Sequence, residues 1–71
     1  MGNEIKITTE YITLGQFLKL ADIIQSGGMA KWFLETHQVL VNGREETRRG
    51  RKLYPQDRVH IDGHGTFLVT R

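Results

Sequence analysis

The sequence predicts an α+β fold: two short packed helices on a small, mostly antiparallel sheet of about four to five strands. Three observations carry this expectation. Apolar residues recur at spacings of three and four from Leu14 to Ile24, and again from Ala30 to Leu34. Polar and apolar residues alternate in Arg58–Ile61, and Thr66–Thr70 follows as a further strand. Asn42-Gly43 closes the β-branched run Val39-Leu40-Val41, which is the strongest short hairpin signal a sequence offers.

Each element has its own local reason. Glu4-Ile5-Lys6-Ile7-Thr8 alternates like a half-buried strand with Ile5 and Ile7 inward. Thr13 reads as a helix N-cap, Gln16 completes a capping box, and Ile12 and Phe17 hold the positions of a hydrophobic staple. Leu14, Phe17, Leu18, Ala21 and Ile24 then form one apolar face, and Ser26-Gly27-Gly28 is expected to stop the helix through positive φ. The second helix presents Ala30, Phe33 and Leu34 inward, with Lys31 and Glu35 spaced as an i,i+4 ion pair. Arg44-Glu45-Glu46 is the returning arm of the Asn-Gly hairpin. Thr47 to Lys52 reads as a loop, and Leu53 and Tyr54 return to the core. Pro55 suits the first corner of a turn at Pro55-Gln56-Asp57. Asp62-Gly63-His64-Gly65 reverses the chain into the last strand, antiparallel to Arg58–Ile61.

Seventy-one residues make one small domain, 1–71, with a modest core. There is no cysteine, so neither disulfide nor thiolate metal site holds it, which fits a reducing compartment. No apolar run reaches the ~20 residues that cross a bilayer. The N-terminus has no signal-peptide core, and Lys6 stands where a myristoylation motif at Met1-Gly2 wants Ser or Thr. The expected location is the cytoplasm.

The net charge of +2 is mild, but its distribution is not. Residues 1–43 carry three lysines against four acidic groups; residues 44–71 carry seven Lys or Arg against four. Arg48-Arg49-Gly50-Arg51-Lys52 packs four of those cations into five positions, next to a glycine that lets the segment adapt. Arginine forks match phosphate oxygens, so this pattern points to a polyanion-facing surface. A solvated loop is the plain alternative.

Four segments resemble one family. Leu14-Gly15-Gln16-Phe17-Leu18-Lys19, Ser26-Gly27-Gly28-Met29-Ala30-Lys31, Val39-Leu40-Val41-Asn42-Gly43 and Leu53-Tyr54-Pro55-Gln56-Asp57-Arg58-Val59-His60-Ile61 resemble the RNA-binding domain named after small-subunit ribosomal protein S-four. The core of the resemblance covers about residues 14–61. The chain as a whole is similar to the short stand-alone bacterial S-four proteins of the YaaA type. The resemblance implies a compact αL motif and contact with structured RNA of the ribosomal or transfer RNA class. By position it assigns contact to Ser26, Lys31 and Trp32 on the second helix, and to Arg44 after the Asn-Gly turn. Arg48, Arg49, Arg51 and Lys52 join them on charge. Two positions depart from the family pattern: Gly27 replaces a usual arginine, and Gln56 replaces the glycine of a usual Gly-Asp turn.

No catalytic reading competes. His37, His60 and His64 lie in different elements at spacings unlike metal-ligand motifs, and the glycines match no phosphate or dinucleotide fingerprint. Consecutive strand residues Glu45 and Glu46 point to opposite faces. The expectation is a monomeric RNA-binding module without enzyme activity, metal, cofactor, small-molecule substrate or membrane partner. The alternative is a protein-docking module using the last strand, Thr66–Thr70, as a free edge, with Tyr11 and Trp32 as an aromatic face. Non-specific DNA binding by the Arg48–Lys52 loop is a third possibility.

Overall fold

The computed structural model describes residues 3–71, so the myristoylation reading at Met1-Gly2 lies outside the described residues. Strands β1 (Asn3–Lys6), β3 (Val39–Val41), β4 (Arg44–Glu45), β6 (Arg58–Ile61) and β7 (Gly65–Thr70) form a five-stranded sheet ordered β1-β7-β6-β3-β4. Only β1 with β7 is parallel. A second, two-stranded ladder pairs β2 (Ile12–Thr13) with β5 (Lys52–Leu53). Helices α1 (Leu14–Leu20) and α2 (Ala30–Thr36) complete the α+β architecture.

The sheet has one dry face. Val39 and Val41, Val59 and Ile61, and Phe67 and Val69 are buried, and the register sets Val41 beside Val59 and Val59 beside Phe67. Leu14, Phe17 and Leu18 of α1 and Ala30, Phe33 and Leu34 of α2 cover that face in one continuous cluster. Phe17 meets Phe67 edge to face at 5.6 Å, the arrangement that ring quadrupoles favour. The opposite face carries Leu40, His60, Thr66 and Leu68, each half-buried or exposed.

The short-range signals act as expected. Thr13 caps α1: its Oγ1 accepts the Gln16 N–H at 3.2 Å, and its own N–H donates to Gln16 Oε1 at 2.9 Å. Asn42 (φ 52) and Gly43 (φ 85) both adopt left-handed φ, as a type I′ hairpin turn requires. Val59 and Ile61 point inward, and β6–β7 is antiparallel.

Three expectations need correction. First, α1 stops at Leu20, not at Ser26-Gly27-Gly28. Asp22 takes φ 62 and donates its N–H to Lys19 O, while Ile23 donates to Leu18 O. That is a Schellman cap with aspartate in the left-handed position. Ile24 is therefore buried from a loop, not from the helix. Gly27 and Gly28 are not in the left-handed region; with Met29 they form a 3-10 turn that leads into α2. Second, Lys31 and Glu35 form no ion pair among the described residues, where both salt bridges go to Glu46. Third, Thr66–Thr70 is no edge: β7 lies between β1 and β6. The free edges belong to β1 and β4.

The turn at Pro55 is type II: Asp57 N–H reaches Tyr54 O at 3.0 Å and Gln56 sits at φ 83. A side chain there is strained by ~1–2 kcal/mol. Gln56→Gly is expected to raise stability by about 0.5–1 kcal/mol once the extra backbone freedom of unfolded glycine is subtracted. In a domain of this size that is a Tm gain of roughly 2–8 °C by thermal unfolding; an unchanged or lower Tm would refute the strain.

Candidate nucleic-acid interface

Residues 46–51 connect the edge strand β4 to the short strand β5, and their backbone is anchored at both ends. Glu46 N–H donates to Val39 O at 2.9 Å, which continues the β3 edge. Further on, the loop turns its carbonyls toward the start of α1. Arg51 O accepts the Leu14 N–H at 2.8 Å, and Arg49 O accepts the Gly15 N–H at 2.9 Å. Those amides have no partner inside their own helix, so the loop satisfies donors that a helix start always leaves open. Position 15 is close-packed: a Cβ there would lie 3.5 Å from Ala30 Cβ and 3.6 Å from Arg49 Cβ. The arginine loop, the start of α1 and the start of α2 therefore converge at one end of the helix pair.

A carboxylate organises the cations. Glu46, 7% exposed, accepts from the backbone N–H of Thr47 (3.1 Å) and Arg48 (3.0 Å), from Arg48 Nε (3.1 Å) and from Arg51 Nη1 (2.9 Å). The Arg48 side-chain bond, helped by its backbone N–H and by Arg51, outweighs burial and lowers the Glu46 pKa from 4.5 to about 2. In sequence, Glu46 stands near Arg44 and would partly cancel that residue's field. Its partners are Arg48 and Arg51 instead. The segment carrying them is thus a built loop. Arg48 keeps a side chain 75% exposed, and Arg51 keeps one 34% exposed. Both present outward what the carboxylate does not occupy.

The remaining sequence-derived residues fall as follows. Arg49 and Lys52 are exposed. Lys52 opens β5, a strand within the segment expected to be loop, and its Nζ stands 4.9 Å from the Tyr11 ring centroid. Lys31 is exposed in the first turn of α2, directly after Ala30, which lies beside Gly15. Ser26 precedes the 3-10 turn; its carbonyl accepts the Met29 N–H, and its hydroxyl makes no capping bond. Arg44 lies opposite Val41 on the free edge strand, on the helix-bearing side of the sheet. Trp32 is 56% exposed, and its ring neighbour is His37 at 6.2 Å, which in turn stacks on Phe33 at 4.1 Å. The structure thus draws Lys31 and the 48–52 segment to one end. Arg44 sits along the sheet edge, and Trp32 makes its ring contact toward the C-terminal end of α2.

Sequence reasoning misses Glu46 as the anchor, Gly15 as the contact point, and the pair Tyr11–Tyr54 (5.7 Å between centroids) beside Lys52. A signal for Tyr54 is present: it stands two residues after Lys52, so an extended chain puts both on one side. Among the described residues no group of three His, Cys, Asp or Glu side chains converges as a metal site, and no helix is long and apolar enough to cross a membrane.

This arrangement of two helices leading into a sheet is matched over residues 5–70 by the S4 domain family model. The chain belongs to the S4 domain family. A curated relative is the Bacillus subtilis (strain 168) "Probable ribosome maturation protein RlbA", 68% identical over 69 residues and covering 97% of each chain.

Proposed function

We propose that this chain is a single, non-catalytic RNA-binding unit that acts on ribosomal assembly. It would engage structured RNA of the ribosomal or transfer RNA class as a monomer, in the cytoplasm where ribosomes form. Membership of the S4 domain family and the relative's name support a ribosome-associated RNA-binding role. The contact set is Ser26, Lys31, Trp32, Arg44, Arg48, Arg49, Arg51 and Lys52. The observation that carries this reading is the basic loop itself. It holds four cations on a backbone already fixed to α1, so little ordering entropy is lost when a phosphate strand docks. An A-form duplex hides its major-groove edges, so such a surface reads backbone and shape.

The test must separate charge from fold. Arg48 and Arg51 hold Glu46, so substituting them would confound the two. Lys31→Ala, Arg49→Ala and Lys52→Ala combined should leave the fold intact. Binding to ribosomal RNA hairpins, followed by fluorescence anisotropy, is expected to weaken tenfold or more at about 0.1 M salt. Each lost phosphate contact should also make the log–log salt dependence shallower, by about one unit or slightly less. Unchanged affinity and slope would remove this face from RNA binding.

A further inference from the structure

A shallow depression of about 660 Å³ opens beside the basic loop, lined by Arg48, Gly50, Arg51, Lys52, Tyr54 and Asp57. Its one aromatic wall is Tyr54, 44% exposed although large and mostly apolar. The backbone beneath that ring is clamped. Tyr54 N–H donates to Asp57 Oδ2 at 2.8 Å, and Tyr54 O accepts the Asp57 N–H at 3.0 Å. One side of the ring leans on Tyr11 at 5.7 Å and 46°. Lys52 Nζ lies over that same Tyr11 ring, so the pair is bordered by a cation. Asp57, the acidic member of the lining, is turned into the structure: its Oδ1 accepts from Asn42 Nδ2 at 3.1 Å and its Oδ2 from Tyr54. Its two oxygens are thus occupied by neutral donors, and the three cations of the lining outnumber its single negative charge.

We propose that this depression is a subsite for one unpaired nucleotide. Its base stacks on the open part of Tyr54, and its phosphate meets Arg48, Arg51 and Lys52. The proposal rests on the RNA-binding reading and adds to it a preference for RNA with an unstacked base over a continuous duplex. Every base has a π face, so the subsite takes a bulged or looped-out nucleotide with little regard to its identity. A duplex alone gives the cations phosphates and leaves Tyr54 uncovered.

The probes are two RNA hairpins that differ by a single bulged 2-aminopurine. The wild-type chain is expected to bind the bulged hairpin about tenfold more tightly than the paired one, with its fluorescence quenched on binding. Tyr54→Ala should lose both the preference and the quenching while holding the paired hairpin as before. Tyr54→Phe should keep both. Tyr54→Leu, which preserves apolar bulk against Tyr11, should behave like Tyr54→Ala. If wild type and Tyr54→Leu discriminate equally, or wild type does not discriminate, the subsite falls while the RNA-binding reading stands. If the wild type binds neither hairpin, both fall.

Discussion

Glu46→Ala is expected to loosen the basic loop, and to weaken RNA binding although it raises the net positive charge. The carboxylate is the common acceptor for two backbone amides and two guanidinium groups. Removing it takes the acceptor from two backbone amides at a buried position, at a cost of ~2 kcal/mol. A pure charge count predicts tighter binding by the variant; a pre-organised loop predicts weaker binding, by tenfold or more. Anisotropy against the same ribosomal RNA hairpins decides between them, and tighter binding would show that the order of the loop is immaterial. The same residue makes stability depend on acid. Its pKa is lowered in the folded state, so its contribution is complete above about pH 4.5 and is lost as pH falls toward 2. Solvent at the exposed Arg48 end screens the pair, which limits that contribution to ~1 kcal/mol. Glu46→Gln should therefore flatten the wild-type fall in Tm across that window.

Phe17→Ala is expected to have the largest effect on the fold. Phe17 is fully buried between helix and sheet, edge-on to Phe67, and its loss opens a cavity worth ~3–5 kcal/mol. A domain of this length has a total stability of roughly 4–11 kcal/mol. The variant should lose about 15 °C or more of Tm, read from thermal melts by circular dichroism. A shift of only a few degrees would mean that the helix–sheet contact is less central than its packing implies.

Legibility in the sequence follows the range of the interaction. Thr13 with Gln16, Asn42 with Gly43, and the alternation of Arg58–Ile61 are short-range signals, and each is carried by neighbouring residues alone. The end of α1 is not. Ile24 continues the apolar spacing, and the left-handed cap falls on Asp22 where glycine is the usual marker. The ladder between β2 and β5 is two residues long and joins segments distant in sequence, so no periodicity announces it. At the candidate site, the cation cluster is evident from composition. What holds it is not: Glu46 stands in a charged stretch, and nothing local marks it as the buried acceptor of Arg48 and Arg51. Tyr54 reads in sequence as a core residue, yet the type II turn leaves part of its ring in solvent.

The parallel pairing of β1 with β7 has a consequence for how the chain matures. The other pairings in that sheet join nearer segments, so the β1–β7 ladder closes the longest stretch of chain and carries the largest loop-closure entropy. Docking of the segment around Ile5 is therefore expected to be a late step in folding.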